Sequence, residues 1–587
     1  MLTDVGTRPP VEYGRPVSPP SNGEAEYMPE PLARPHESEI CEWVESLRDD
    51  ASRRRDEDAS FREWDTWENQ WWGKQMWPEG LPSWKAPVNI NEMKMVLLSE
   101  LSDLTDSKLR VFVQKSTENG DRDQMVEDAI QAFWARDFID HTLMLAALDA
   151  IKFPCGFLRT LWNPTADKGR GAIEVRVVPP KNVYPDPDAP DETAMQYLII
   201  QDDMDLVEIR RLWPDQGFRV KPDSRYKLSD GAKGAGTGGV NYKGPLYAAG
   251  YGVGLEGYSK PRACVLTCFV KDPTIEDRLV DQGWNADGTK KIERIRSYKY
   301  PNGRLIQMSN GVVLYDNPNP YPDWTLTRIC LDPSPNQFWP KTSIVGAVVP
   351  NYQAANKLDS AVLENALRLN GGKIVMDANA GLDPGKMSNI PGEVWMKNPS
   401  ATVSILYPPQ MPPDMINAGE RLRTMTTQKG LGHNPSRSGM AGAGNVAADL
   451  VETEISQSMG LTRLRGRMLF VSVQRLSEQI FARMAQFYTV SRSMPRINMD
   501  GFSTVQWTPL DPAQRDAYSV HVDPASFQVR SKTMLQRLYL TLAKLGKIPN
   551  KQLLQMLEIP NADAVYEQWQ KETALVAMSK GHLQQNG

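Results

Sequence analysis

The side chains best suited to metal binding or nucleophilic catalysis are five cysteines and five histidines. Cys264 and Cys268 lie four residues apart in an apolar run typical of a strand, so both face the same side. A zinc site needs about four ligands of this kind close together. The histidines are scattered far from this pair: His36, His141, His433, His521 and His582. The spacing therefore favours buried, reduced cysteines over a metal site.

A second group with chemical potential is the carboxylate cluster in VVPPKNVYPDPDAPDE. It contains Asp186, Asp188, Asp191 and Glu192, which suggests either a calcium loop or an acid and base pair. The twelve-residue calcium pattern is absent. A Pro-Asp-Pro-Asp run between two strands is ordinary turn chemistry, so the turn interpretation is favoured.

Nucleotide and acyl-transfer motifs are also missing. The chain contains neither G-x-x-x-x-G-K-[ST] nor G-x-S-x-G. The glycines at 439, 442 and 444 precede a helix, where backbone amides can hold an anion. They follow a loop rather than a strand, however, and a hinge is the favoured interpretation. No catalytic residue, cofactor or metal ligand is predicted.

Two further patterns have a structural and a functional interpretation. The tryptophan-rich stretch with Trp64, Trp67, Trp71 and Trp77 could stack sugars or bases, but packing of a helix end against neighbouring elements or subunits is favoured. The run of arginines at 53–55 stands among acidic residues and indicates a solvated helix face.

Composition narrows the class of protein. The chain has 587 residues, 40% hydrophobic side chains and a net charge of −5. This charge argues against a protein that grips DNA through a basic surface. Five cysteines in so long a chain indicate a reducing compartment. No membrane span or signal peptide is recognised, so we expect the protein to work inside the cell that makes it, or to leave it within an assembly.

The order of the elements positions these residues and predicts an α+β fold that is mainly helical. Proline density predicts a disordered arm at 1–36. Periodicity predicts a helical run over 121–151, a long helix starting at Pro350 and another helix over 446–490, which would be about 65–70 Å long. The full division is a helical part (37–152), a β-rich part (153–342) with a glycine-rich insertion (229–257), a helix (343–372), short strands (373–411), a second helix (412–429), a loop (430–445), the long helix (446–490), strands (491–530), and final helices with a polar tail (531–587).

This order resembles the portal, or head-to-tail connector, proteins of tailed bacteriophages. Three stretches carry the resemblance: the tryptophan-rich segment that leads to the VFV strand, the segment VVPPKNVYPDPDA, and the strand-then-helix pair VHVDPASFQVRSKTMLQRLYLTLAKLGKIP. The resemblance covers about 40–560 and excludes the arm and the glycine-rich insertion. It implies a portal-like architecture in which 343–372 and 412–429 form the stem, 373–411 the clip and 430–445 the tunnel loop. The remaining ordered parts form the wing and, from 531, the C-terminal crown.

The resemblance also implies a function. The chain would form a homo-oligomeric ring, a dodecamer, at one capsid vertex of the virion, and would be assembled in the host cytoplasm. The ring would be the channel for packaging and ejection of double-stranded DNA. Its expected partners are that DNA, the terminase large subunit, a head-tail adaptor or tail protein, and the major capsid and scaffolding proteins. No enzymatic activity and no membrane are implied.

Candidate site residues follow from this likeness. Lys429, His433 and Arg437 are expected to approach the DNA backbone through weak, salt-sensitive contacts, or alternatively to form salt bridges between subunits. Trp395 and Lys397 are expected to meet the packaging motor and later a tail adaptor. Two other classes remain open: a virion protein of the ejection or tail apparatus, and a carbohydrate-active hydrolase.

Overall fold

The structure is a computed structural model of one chain. It describes residues 36–58, 60–74, 85–105, 111–115, 122–223, 261–284, 290–334, 337–370, 373–383, 394, 396–406, 412–432, 459–498, 501–510, 518–522, 532–547, 549, 552–554, 557, 565–566 and 568–571. The predicted arm and the glycine-rich insertion lie outside these residues.

Helices and strands occur in separate runs along the described chain, and the strands pair antiparallel, as in an α+β fold. The helices are α1 (Glu37–Asp58), α2 (Trp64–Trp71), α3 (Glu92–Thr105), α4 (Gln124–Arg136), α5 (Ile139–Lys152), α6 (Leu206–Leu212), α7 (Ile344–Asn370), α8 (Pro413–Met425), α9 (Gly460–Phe487) and α10 (Lys532–Lys544). The strands are β1 (Val111–Lys115), β2 (Gly156–Asn163), β3 (Ala172–Val178), β4 (Val183–Pro185), β5 (Tyr197–Asp205), β6 (Arg262–Val270), β7 (Ile275–Trp284), β8 (Lys290–Tyr298), β9 (Arg304–Ser309), β10 (Val312–Pro318), β11 (Leu326–Ile329), β12 (Lys373–Met376), β13 (Val403–Leu406), β14 (Arg492–Asn498), β15 (Gly501–Trp507) and β16 (Tyr518–Val522).

The strands form two larger antiparallel sheets and four ribbons. One sheet has the order β10-β9-β6-β5-β4, and the other has the order β11-β2-β3. The ribbons are β1–β16, β7–β8, β12–β13 and β14–β15. The β1–β16 ribbon joins sequence positions that are about 400 residues apart, with Val111 opposite Val522. The N- and C-terminal parts of the chain are therefore one folding unit at this point.

Alternation along β6 explains how the five-stranded sheet is covered. Cys264 and Cys268 pack on the same side as Cys41 and Val44 of α1. Ala263 and Val265, at the alternate positions of β6, face the opposite side and meet α6 and its surroundings. The prediction that both cysteines share one face is confirmed, and both are buried and outside any disulfide.

The helix α9 holds the edges of two separate sheets through polar side chains. Gln474 donates to the backbone oxygen of Val520 (2.5 Å) and accepts from the amide of Val522 (2.7 Å), both on β16. Ser472 donates to Arg328 O (2.8 Å), and the Gln479 amide donates to Leu326 O (3.2 Å), both on β11. Strand edges expose unpaired backbone groups, and here an α-helix supplies the missing partners.

Arginines at helical spacing on α9 add ion pairs to the same face. Arg465 binds the buried carboxylate of Glu100 on α3 (2.7 and 2.8 Å) and also meets Asp332 (3.2 Å). Arg483 is fully buried and pairs with Asp323. Buried charges are tolerated only when they are paired, so these contacts fix the position of α9 along the sheet.

Two helix predictions are wrong in detail, and a third is only partly covered by the described residues. The periodic run over 121–151 is two helices, because Phe138 adopts a left-handed conformation (φ 51°) that ends α4 and starts α5. The stem-like helix begins at Ile344, and Pro350 lies inside it rather than at its start. In the predicted helix over 446–490, the described helix is α9, of 28 residues and about 42 Å. Residues 446–458 lie outside the described part.

The junction of α5 and β2 generates a testable prediction. An ideal Cβ on Gly156 would lie 1.9 Å from the backbone oxygen of Ala146 on α5, whereas one on Gly460, the first residue of α9, would meet nothing within 4 Å. Gly156→Ala must separate a helix from a strand, so we expect it to lower the free energy of unfolding by about 2–4 kcal/mol.

Gly460→Ala is the matched control, and thermal unfolding of both variants is the measurement. The control should be neutral or slightly stabilising because alanine favours a helix. Equal melting temperatures for the two variants would contradict the close approach of α5 to β2.

Candidate functional site

The helices α7 and α8 form an antiparallel pair that ends in the β12–β13 ribbon. Residues near the start of α7 contact those past the end of α8, since the Tyr352 hydroxyl bonds to Thr427 Oγ1 (2.8 Å). Further along α7, Asp359 and Asn356 both meet Arg423 of α8. The chain leaves α7, forms the ribbon with Lys373 opposite Leu406, and returns through α8.

A polar stripe on α7 holds this pair together and also binds an extended segment at 85–90. Asn356 accepts from Arg423 Nη2 (2.8 Å) and from the amide of Ile90 (3.3 Å). Ser360, one turn later, accepts from the amide of Val88 (2.9 Å). The spacing i, i+4 places both side chains on one face of α7. One stripe therefore serves two neighbours.

The two helices approach closely at Gly419. A Cβ at this position of α8 would lie 2.4 Å from Asp359 Oδ1 and 3.6 Å from Ala355 O. The hydrogen-only side chain of glycine leaves room for the Asp359 carboxylate beside the α8 backbone. The ion pair between Asp359 and Arg423 depends on this space.

The end of α8 carries the first predicted DNA-facing residue, Lys429. It lies exposed in a π-helical turn (Thr426–Gly430), in which the amide of Leu431 donates to Thr426 O (3.0 Å). Leu431 itself is buried in the main core, which anchors the turn. Turns of this kind recur at functional sites.

Gly432, the last described residue after α8, lies next to Leu461 at the start of α9. A Cβ on Gly432 would lie 2.7 Å from Cδ1 of Leu461 at the start of α9. Residues 433–458 between them lie outside the described residues, and His433 and Arg437 are among them. The structure therefore places Lys429 just before the predicted tunnel loop.

The predicted clip residues divide in the same way. Lys397 is exposed, and its Nζ donates to the backbone oxygen of Ala401 (2.9 Å) within a turn. Trp395 lies outside the described residues. Val394 and Met396, on either side of it, are each 84% exposed. This end of the helix pair presents apolar side chains to solvent in the single chain.

Sequence reasoning missed the role of Arg423. It lies in the predicted second helix at 412–429, and it is buried and paired with Asp359. The polar stripe of Asn356 and Ser360 on α7 was also missed. The sequence does contain two polar residues at i, i+4 spacing in this helix. Their importance could not be recognised, because their partners come from distant segments.

The carboxylates at 186–192 have structural roles in a turn and in ion pairs. Asp186 accepts from the amides of Asp188 (3.1 Å) and Gln196 (2.9 Å), as a turn requires. The hydroxyl of Thr193 and nearby amides lower the pKa of Asp191. Glu192 is buried against Arg328 and Arg475. Among the described residues, no group of three or more His, Cys, Asp or Glu has a metal-binding arrangement.

The tryptophan-rich segment packs inside the protein. Trp64, Trp67 and Trp71 are buried in the main core, and Trp64 meets Trp339 with ring centroids 5.6 Å apart. The packing interpretation is confirmed for these three, while Trp77 lies outside the described residues.

The solvated-face interpretation of the arginine run is wrong for Arg55. This residue is 2% exposed, and it donates to Lys181 O (2.8 Å) and Val183 O (3.1 Å). Its guanidinium lies over the rings of Phe61 and Tyr184, which cover the charge.

Comparison with known proteins identifies the class. A family model described as Phage P22-like portal protein matches residues 49–586. The chain therefore belongs to the Phage P22-like portal protein family. A search of the curated proteins finds no match. The predicted arm precedes the matched residues.

Membership defines the general role. Proteins of this family are structural components of the bacteriophage virion rather than enzymes, and they act in DNA packaging. They form ring-shaped oligomers at a capsid vertex, with capsid, DNA and terminase as partners in general. None of the described helices combines the length and apolar character that a bilayer span needs.

The α7–α8 contact generates the second prediction. Arg423→Met keeps much of the side-chain volume but leaves the Asp359 carboxylate without its ion pair. We expect the free energy needed to separate α7 from α8 to fall by about 1–3 kcal/mol. Amide hydrogens in both helices should therefore exchange faster.

Arg421→Met is the matched control, because Arg421 lies on the same helix and is exposed. Its exchange rates should stay near those of the unchanged protein. If both variants exchange alike, Arg423 does not hold the two helices together.

Proposed function

We propose that the chain forms a dodecameric ring whose central channel carries double-stranded DNA during packaging and ejection, and that it docks first the terminase motor and then the tail. The observation that carries the proposal is the antiparallel α7–α8 pair with its terminal ribbon, inside a chain that the family match covers over residues 49–586. In this proposal α7 and α8 are the stem, 373–411 is the clip and 430–445 is the tunnel loop.

Exposed apolar side chains on this hairpin support ring formation. On α7, Leu363 and Leu367 are 41% and 51% exposed, and on α8, Met415 and Met425 are 43% and 40% exposed. Such residues are costly to leave in water when they are concentrated on two adjacent helices. A ring with heterologous contacts covers them, because each subunit then presents one face to each neighbour.

The charge distribution fits a channel that DNA slides through. The net charge of −5 per chain opposes tight binding along the duplex. Arg423 is neutralised by Asp359, which leaves the exposed Lys429 as a basic residue at the root of the loop. A few basic contacts hold the backbone weakly, and salt screens them.

The most direct test of the ring is an image of the purified protein by electron microscopy. We expect a twelvefold ring with a central hole wide enough for a DNA duplex. Monomers, or an assembly without a central hole, would contradict the proposal. Such a result would favour another component of the virion, from the ejection or tail apparatus.

The channel role of the loop is tested by Lys429→Gln combined with Arg437→Gln. We expect rings to assemble and DNA packaging or genome retention to change, since weak phosphate contacts are lost. In purified rings, the slope of log affinity against log salt should fall by about one for each phosphate contact removed.

Arg421→Gln serves as the control for loss of positive charge on the same helix. Failure of the double variant to form rings would instead assign Lys429 and Arg437 to salt bridges between subunits.

The docking role of the clip is tested by Trp395→Ala and Lys397→Glu. We expect intact rings that bind the terminase large subunit and the tail adaptor at least tenfold more weakly, because aromatic anchors often carry about 2 kcal/mol or more of an interface. Pull-down with each partner is the measurement. Rings of both variants that keep normal affinity for both partners would exclude this site.

A further inference from the structure

Two buried cysteines that the channel function leaves unused face each other across a strand pair. The β2–β11 ladder ends with Gly156 opposite Ile329, so the next pair in register is Cys155 opposite Cys330. Directly opposite residues on antiparallel strands have Cα atoms about 4.5–5.5 Å apart. Disulfides span Cα distances of about 4.4–6.8 Å. Rotation of the two side chains therefore suffices to join them.

The thiols already interact with each other and with the backbone. Cys155 and Cys330 lie close enough for each thiol to shift the pKa of the other. Cys330 Sγ also donates to Asp332 O (2.9 Å), and Cys155 Sγ lies 3.9 Å from Phe338 O. A Cβ on the adjacent Gly156 would overlap α5, so the backbone on this side is held tightly. The pair is preorganised by its surroundings.

The two sulfur atoms have different environments. The hydrogen bond with Cys155 lowers the pKa of Cys330, and the charge of Arg328 acts in the same direction against burial. Burial raises the pKa of Cys155 well above its ordinary value. Cys330 is also slightly exposed (8%), while Cys155 is fully buried. Cys330 is thus the better nucleophile of the two, and Cys155 is the neighbouring thiol that can resolve a mixed disulfide formed on Cys330.

We propose that Cys155 and Cys330 are a dithiol–disulfide site that becomes oxidised when the virion leaves the reducing cytoplasm. The oxidant is a low-molecular-weight disulfide such as oxidised glutathione. This proposal concerns the chain itself and does not depend on the channel residues.

The reaction balances as two exchange steps. The Cys330 thiolate attacks one sulfur of the external disulfide, and the first small thiolate leaves and takes up a proton. Cys155 then loses its proton and attacks Cys330 Sγ, and the second small thiolate leaves and is protonated in turn. The protein loses two hydrogens overall, and the external disulfide is reduced to two thiols.

A disulfide between Cys155 and Cys330 would link two parts of the fold that lie near the start of α7. Cys155 follows α5, and Cys330 stands at the end of β11, from which the chain continues to α7. Asp332, two residues after Cys330, also holds Arg465 of α9. A disulfide here joins the start of β2 to the root of the α7–α8 pair. It therefore stabilises the fold against pulling apart at that junction.

The other cysteines provide controls within the same chain. Cys264 and Cys268 lie four residues apart on β6, about 13 Å along a strand, which is too far for a disulfide. The residues opposite Cys268 on the two neighbouring strands are Ile199 and Ile306, so Cys268 has no cysteine partner across the sheet. Cys268→Ala is therefore a variant that leaves the proposed site intact.

The experiment exposes assembled protein to graded mixtures of reduced and oxidised glutathione, blocks free thiols by alkylation, and maps linked peptides by mass spectrometry. We expect a peptide pair joining Cys155 to Cys330 and a melting temperature about 5 °C higher in the oxidised protein. Both changes should reverse with dithiothreitol. Cys330→Ala should lose both, and Cys268→Ala should keep both.

Three outcomes would overturn the proposal. One is the absence of the linked peptide from the unchanged protein at the most oxidising ratio. Another is a link that involves a different cysteine pair. The third is a melting shift that Cys330→Ala retains. Because the first readout uses the unchanged protein, the test stands even if the alanine variant folds poorly.

Discussion

The packing of α9 depends on one interaction: its polar side chains satisfy the open edges of two sheets. Gln474 pairs with a backbone oxygen and a backbone amide of β16, while Ser472 and Gln479 bind β11. An unpaired strand edge inside a protein would be costly, and an amide side chain replaces the missing strand. Since β16 in turn pairs with β1, the helix joins the N-terminal, central and C-terminal parts of the chain.

The ion pairs of α9 extend this constraint toward the candidate site. Arg465 connects Glu100 on α3 with Asp332, in the connection between β11 and α7. The root of the α7–α8 pair is thus tied to the sheets by charge, and its far end, with Val394 and Met396, is exposed. A rigid root and an apolar outer end suit a protein that is completed by copies of itself and by partners, as in the portal family to which the chain belongs.

The sequence predicted much of the fold because the signals were local. Strands β2, β3, β5, β6 and β10 lie within 153–342, the part of the chain that the sequence predicts to be β-rich. The sequence predictions were wrong where one residue's conformation or a tertiary contact overrode the local pattern. Phe138 splits one periodic run with a left-handed residue, and Pro350 is accommodated inside α7. Arg55 was taken for a surface charge because its covering rings, Phe61 and Tyr184, are positioned by the fold.

By itself, the sequence determined the α+β class, the order of elements and the likeness to portal proteins, since periodicity and turn chemistry act over a few residues. It also identified Lys429 and Lys397 as basic residues near the ends of the helix pair. Only the tertiary structure decided which charges are free: it pairs Arg423 with Asp359 and leaves Lys429 exposed. It also brought Cys155 opposite Cys330 across 175 residues of chain. Such pairings depend on strand register and helix packing, which no single segment encodes.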